Sequence, residues 1–310
     1  MRAAILKDFD TELAVDEVPD PKPADDELLI RMRGSSVNAI DAYEATGALR
    51  GTMDYDFPVT IGTDLAGIVE RVGSAVTRYR PGDEVFGFRP SAGERVGLWA
   101  ELIALPEDHG FLAAKPSRLD FAQAGAAPLG AVTALAALDP LGVSEGDAVL
   151  IIGGSGGVGS FAVQLAAGRG AEVIVPGLAE DEDYLRDLGA TEVVDRDGDV
   201  VAAVRERRPD GVDALIDMVT RAPEDFDSLA AALRPDGRGA SPLHAAGEAP
   251  GRFNVMGSSD PARMRPLAQL LDSGALRVPI QRTYPLSRAG EAVADFLGSH
   301  VQGKLAIAIE

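Results

Sequence analysis

The chain has 310 residues, of which 46% are hydrophobic, a formal net charge of −20 and no cysteine. That length suits about two domains with a real hydrophobic core. The charge argues against nucleic acid, which needs clustered Lys and Arg, and against anionic membrane surfaces; the missing cysteines exclude disulfides, iron–sulfur clusters, thiolate zinc sites and a cysteine nucleophile.

The N-terminus "MRAAILKDFD" turns acidic early and lacks the apolar region of a signal peptide, and no apolar run reaches membrane-spanning length. A soluble cytoplasmic protein with no membrane partner is expected. "ELLIRMRGSSV", "DLAGIVERVG", "DEVFGF" and "WAELIAL" read as short strands, with "RPGD" as a turn. They suggest a β-barrel or sandwich. Near Phe121 the character changes: "FAQAGAAPLGAVTALAAL" is rich in helix formers. Strands "AVLIIG", "EVIV", "EVVD", "ALIDMV" and "RGASPL" then alternate with helices "VGSFAVQLAAGRG", "EDEDYLRDLG" and "PEDFDSLAAAL". This alternation implies a parallel sheet covered by helices. After helix "DPARMRPLAQLLDSG", the chain continues as "RVPIQRTYPL", helix "RAGEAVADFLGS" and strand "KLAIAIE". The expected division is 1–121 with 276–310, and 122–275.

"IIGGSGGVGSFAVQLAAGRGAEVIV" places Gly154, Gly156 and Gly159 between a buried-type strand and a helix. In that context the glycines allow a sharp turn, close approach to a pyrophosphate and tight helix–strand packing, with the helix N-terminus facing the anion. The alternative is a turn without a ligand. The second strand ends at Val175, Pro176 and Gly177, without the acid that takes ribose hydroxyls in NAD sites. Glu180 to Asp183 follow. They either oppose an extra phosphate or form an acidic first helical turn aimed at solvent. His109, His244 and His300 lack metal-pair spacing.

Several segments in this order resemble the zinc-independent quinone oxidoreductase branch of the medium-chain dehydrogenase/reductase superfamily. They are "SVNAIDAY", "GTDLAGIVERVG", "PLGAVTAL", "GGSGGVG", "LGATEVVD", "LRPDGR" and "HVQGK"; "GLWAEL" replaces the usual Gly-Ala-Tyr-Ala-Glu. The resemblance implies a GroES-like β-barrel domain plus a doubly wound Rossmann domain, and no zinc. It implies hydride transfer from NADP(H), with NAD(H) as the alternative, to a small apolar quinone or to the β-carbon of an α,β-unsaturated carbonyl compound. Leu178 stands where NADP-using relatives often carry Ser.

By the same resemblance Asn38 and Tyr43 take active-site positions, as donors of an amide N–H and a hydroxyl to the acceptor oxygen, and Asp41 orients its neighbours. The alternatives are turn chemistry for Asn38 and Asp41, and core packing for Tyr43. The cofactor set is Thr133; Ser155, Gly156, Gly157 and Val158; Asp217 and Val219; Leu243, His244 and Ala245; and Phe253 and Val255. Leu49, Met53, Tyr55 and Phe57 suggest an apolar ligand, with "RPSAGERVG" as a second pocket loop. A homodimer through the "RGASPL" region as a sheet edge is expected. A dedicated reductase of secondary metabolism and a non-catalytic nucleotide-binding protein on the same fold are the rival readings.

Overall fold

A computed structural model of the protein describes residues 1–52, 54–89 and 96–310. Met53 and residues 90–95 of "RPSAGERVG", both assigned above to pocket walls, lie outside the described residues.

The N-terminal part contains β1 (Arg2–Leu6), β2 (Ala14–Glu17), β3 (Glu27–Ser36), α1 (Ala39–Ala45), β4 (Val59–Thr60), β5 (Asp64–Val72), β6 (Glu84–Phe88), β7 (Leu102–Pro106), β8 (Leu112–Ala114) and α2 (Phe121–Ala126). Alternation along β3 sends Leu28, Ile30 and Met32 into one apolar core with Val69, Val85 and Trp99. Gly62, at φ +110°, lies so close to Trp99 that a Cβ there would overlap the indole. The Asp120 carboxylate caps α2 by accepting from the Gln123 N–H at 2.8 Å. Pro128 separates α2 from the next helix, because it cannot donate a backbone N–H.

The middle of the chain contains α3 (Pro128–Leu138), β9 (Ala148–Ile152), α4 (Gly159–Gly168), β10 (Glu172–Gly177), α5 (Glu182–Asp187), β11 (Glu192–Asp195), α6 (Val200–Arg207), β12 (Val212–Asp217), α7 (Pro223–Ala230), β13 (Leu233–Ser241) and β14 (Arg252–Asn254). The last part contributes α8 (Met264–Ser273), β15 (Ile280–Pro285), α9 (Ala289–Gly298) and β16 (Lys304–Ala308).

Two compact units result. One holds residues 1–129, 261–274 and 278–310, and the other 130–260 and 275–277. Residues 122–129 and 261–274, grouped above with the nucleotide-binding domain, thus fall in the first unit. That unit has a three-stranded sheet β2-β1-β4 and a seven-stranded sheet β15-β16-β3-β5-β6-β8, with β7 pairing β3. β16 lies antiparallel to β3, with Ala306 opposite Ser36. The second unit is a six-stranded parallel sheet in the order β11-β10-β9-β12-β13-β14. The order reverses at β9, and the crevice at such a switch point, outside the carboxyl ends of the strands, is where doubly wound sheets bind ligands.

The "RGASPL" region is not the outer edge of this sheet. β14 pairs alongside residues 239–241, so β14 is the outermost strand on that side.

Candidate functional site

In the parallel-sheet unit, the turn after β9 carries Ser155 to Val158 and leads into α4. Its glycines divide the work. A Cβ at Gly154 would overlap Val175 of β10, and one at Gly159 would overlap the Gly153 carbonyl. Both serve packing. A Cβ at Gly156 would meet only the Gly153 carbonyl oxygen, at 3.5 Å, so the space there is open. An open, half-exposed loop at a helix N-terminus fits a pyrophosphate, because the first helical N–H groups lack intrahelical partners.

Of the other expected cofactor residues, those on α3 and after β12 lie against this loop, while those after β13 and on β14 form turns of their own. Gly130 of α3 approaches the Gly157 carbonyl, a Cβ there falling 3.2 Å from it. Thr133 follows one turn later, and its hydroxyl abuts Gly257 so closely that no Cβ would fit at Gly257. This brings α3 against the chain that follows Phe253 and Val255. Val219 leans over Gly153, and the Met218 N–H donates to the Ile152 carbonyl at 3.2 Å. The Asp217 carboxylate is engaged in its own turn, accepting from the N–H groups of Val219 at 3.0 Å and Thr220 at 3.1 Å and bonding the Thr220 hydroxyl. Its carboxylate shapes the strand end. At the end of β13 the Ser241 hydroxyl accepts from the Leu243 and Ala245 N–H groups. Between them His244 adopts φ +62°, a left-handed conformation that a non-glycine residue holds only when its surroundings impose it.

The acids after β10 do not face outward as one group. Asp181 is buried and accepts from the Leu178 N–H at 3.1 Å, while Glu182 pairs with Arg186 at 2.9 Å. Glu180 and Asp183 are exposed. The sequence offered solvent or phosphate for all four; Asp181 takes neither, because it caps the turn.

In the first unit, "SVNAIDAY" forms the end of β3 and the short helix α1. Asn38 is its N-cap, and Asp41 accepts from the Asn38 N–H at 2.8 Å. The Asn38 side chain, 8% exposed, donates from Nδ2 to Asp64 Oδ2 at 2.8 Å and to Thr63 Oγ1 at 3.1 Å. Its Oδ1 accepts from Lys304 Nζ at 2.5 Å. Both amide hydrogens are therefore engaged inside the protein. Thr63 in turn donates to Asp41 at 3.0 Å, and Ser36 Oγ donates to Asp64 at 2.7 Å. Asp41 and Asp64 are fully buried and Lys304 is 3% exposed. Burial, reinforced by the neighbouring Asp64 charge against the hydrogen bonds from Asn38 and Thr63, pushes the Asp41 carboxyl up to about 8. Burial pushes the Lys304 ammonium down, and the Asp64 and Asp41 carboxylates oppose it. Tyr43 is half-buried on α1. Tyr55 and Phe57 pack edge-on against Phe9, with ring centroids 4.7 and 4.8 Å away, so these two aromatics belong at least partly to packing.

Sequence reading assigned Asn38, Asp41 and Tyr43 but gave no role to Ser36, Thr63, Asp64 or Lys304. The available signal was lysine usage: only Lys7, Lys22, Lys115 and Lys304 occur in an arginine-rich chain, and Lys115 and Lys304 are buried.

Residues 24–117 match the family model for the alcohol dehydrogenase GroES-like domain, and residues 157–242 that for zinc-binding dehydrogenases. The chain is 31% identical to the quinone oxidoreductase of Sus scrofa over 300 residues, 91% of this chain and 89% of that protein. It is 30% identical to the chloroplastic NADPH-dependent alkenal/one oxidoreductase of Arabidopsis thaliana over 296 residues, 93% and 73% of the two chains. The protein belongs to the medium-chain dehydrogenase/reductase superfamily, in its quinone oxidoreductase branch. Among solved members of the superfamily, the quinone oxidoreductase from Coxiella burnetii matches with a TM-score of 0.88 at 28% identity, covering 100% of this chain and 99% of that one. Membership makes the protein an oxidoreductase that uses a nicotinamide cofactor.

The zinc in one family model's name does not fit the residues present. The chain has no cysteine, and among the described residues no group of three His, Asp or Glu could hold a metal ion. The described residues likewise include no helix long and apolar enough to cross a membrane.

Two outcomes are expected. Gly156→Val should fold, since the Cβ meets no close atom, and should lose at least about tenfold in NAD(P)H affinity because its side chain fills the anion position; fluorescence titration of a variant with native circular dichroism checks this. Native Asp41 holds its proton up to about 8, while in the unfolded chain it releases it at the ordinary carboxyl value of 3.8. The folded state then binds more protons between those values, and its stability falls as pH rises through them. Asp41→Asn removes that dependence. Its melting temperature should therefore gain on the parent's from about pH 5 to pH 8 and gain no further above that.

Proposed function

We propose that the protein is an NADPH-dependent reductase of quinones and α,β-unsaturated carbonyl compounds. The observation that carries this reading is the open loop at Gly156, at the switch point of the parallel sheet, with Gly130 of the helix that carries Thr133 on one side and Val219 on the other. The names of the relatives given above support the acceptor class.

The bound nicotinamide supplies a hydride, that is, two electrons and one hydrogen. In an enone the hydride adds to the β-carbon, the π electrons move to the carbonyl oxygen, and a proton from water completes the α-carbon. In a quinone the same two electrons and two hydrogens, one as proton, give the hydroquinone. Negative charge develops on the acceptor oxygen in both, and a fixed hydroxyl is suited to receive it. Tyr43 is the donor we assign. Ser155 to Val158 would hold the pyrophosphate, with Val219 and residues 243–245 lining the cofactor and Thr133, Phe253 and Val255 at its nicotinamide end.

For NADPH over NADH, two features count. Asp181 is committed to a cap and Glu182 to Arg186, so these two carboxylates have partners within the protein. Arg196 follows β11, and its backbone N–H donates to the Gly177 carbonyl at 3.2 Å, tethering it to the end of β10, where such folds recognise the adenine ribose. Its guanidinium is 44% exposed and stands 3.7 Å from Asp197. A phosphate would offer it a stronger partner. We further propose a homodimer, with β14 as the edge strand.

Nicotinamide oxidation should be detectable with a panel of quinones and 2-alkenals, and NADPH should bind more tightly than NADH. Arg196→Gln should erase most of that preference while leaving NADH affinity unchanged. Tighter NADH binding by the parent, or inactivity across the panel, would refute the corresponding part. Light scattering at micromolar protein should give twice the chain mass of 32.3 kDa.

A further inference from the structure

We propose that Asn38 is a positioning residue, held at both ends of its amide by Lys304 and by Asp64 with Thr63, and that this clamp fixes the helix carrying Tyr43. The inference rests on the reading above that Tyr43 donates to the acceptor oxygen.

The hydrogen-bond inventory comes first. A side-chain amide has two N–H donors and one carbonyl acceptor. In Asn38 the two donors go to Asp64 Oδ2 and Thr63 Oγ1, and the acceptor takes Lys304 Nζ. No N–H remains for a substrate. Rotating the amide by half a turn would set its NH₂ against the ammonium and its oxygen against the Asp64 carboxylate. Charges of opposite sign on the two sides therefore allow one orientation only.

The clamp is also costly. Lys304 and Asp64 lose water on burial, and a well-packed apolar pair of similar volume is often as stable as a buried ion pair. What the charged version supplies is geometry. Nζ lies 3.8 Å from Asp64 Oδ2 and also donates to the Val37 carbonyl at 3.2 Å. The Asp64 carboxylate takes further hydrogen bonds from Ser36 Oγ at 2.7 Å and the Leu129 N–H at 2.9 Å. Every polar atom of the clamp is thus directed.

The geometry reaches Tyr43 through α1. A helix of seven residues cannot hold itself in water. Its first turn is fixed at Asn38: the Asn38 carbonyl accepts from the Ala42 N–H at 3.1 Å, and the Asn38 N–H donates to Asp41. Thr63 closes the circuit from the Asn38 amide to the Asp41 carboxyl group. Tyr43 follows Ala42 directly. Releasing the amide loosens the turn from which the phenol projects, while the nucleotide-binding residues sit in the other unit.

The test is a double-mutant cycle of Lys304→Gln with Tyr43→Phe, with Lys304→Arg as the conservative variant. Single-turnover oxidation of bound NADPH by 1,4-benzoquinone or trans-2-hexenal reads the chemistry, and the NADPH dissociation constant is measured separately. Lys304→Gln should slow hydride transfer by about tenfold to a hundredfold, since displacement of a positioned group by about 1 Å costs that order. NADPH affinity should stay within about twofold, and Lys304→Arg should recover part of the rate. In the Tyr43→Phe background Lys304→Gln should change the rate by less than about twofold, because the two act through one group.

If Lys304→Gln does not fold, Thr63→Val removes the hydroxyl between the Asn38 amide and Asp41 and is taken through the same cycle with the same expected pattern. A parental rate in the folded variant, or losses that multiply on a slowed Tyr43→Phe, would overturn the inference alone. A full rate in Tyr43→Phe itself would overturn the donor reading and the inference with it.

Discussion

Lys304 and Asp64 meet away from water, and the first unit is organised around the need to satisfy them. Lys304 opens the last strand of the chain, and Asp64 opens β5; both strands flank β3. Asn38, just beyond the end of β3, lies between the two charges. A buried charge without partners costs several kcal/mol, so the C-terminal strand cannot leave β3 without exposing that cost. Residues 266 positions apart in the chain are thereby tied together at the Asn38 amide.

The second unit solves a different problem. Its parallel sheet is buried by helices on both faces, so its strands are nearly continuous apolar runs such as Ala148–Ile151 and Val173–Val175. Such a sheet concentrates its irregular turns at the strand ends. Side chains there are spent on shaping the turns: Asp217 binds the two N–H groups that follow it, and Ser241 does the same with its hydroxyl. What these turns present is mostly backbone and small side chains, a surface suited to a flat, charged, extended cofactor.

Much of this was legible in the sequence, because it rests on local pattern. Alternation along residues 27–36, the apolar run at 148–152 and the glycines at 154, 156 and 159 each report a backbone environment directly. A parallel sheet was accessible through the βαβ alternation, whereas its strand order came from the structure. The clamp was not legible. Asn38 and Lys304 are 266 residues apart, and nothing local in "QGKLAIAIE" says that this lysine is buried. The roles of Asn38 and Asp41 split in the same way: turn-forming residue types were visible, but which atoms they would bond depends on β5 and β16. Asp181 was misjudged with its neighbours because a run of four acids reads as one surface, whereas a turn rotates one of them inward. The edge strand was missed because "GRFNV" is too short to register as a strand, yet it covers residues 239–241.

The division of labour among the loop glycines bears on how this fold can change over time. Gly154 and Gly159 are held by packing, so losing either threatens the whole unit, whereas the space at Gly156 is open and packing places no demand on it. Selection for foldability alone would preserve the first two and let the third drift. A descendant that had lost its cofactor would look almost unchanged in its apolar pattern and strand order. Its silence would be written at one position. On the proposed role of this loop, a change at Gly156 would mark the loss of the cofactor while the fold around it stayed as it is.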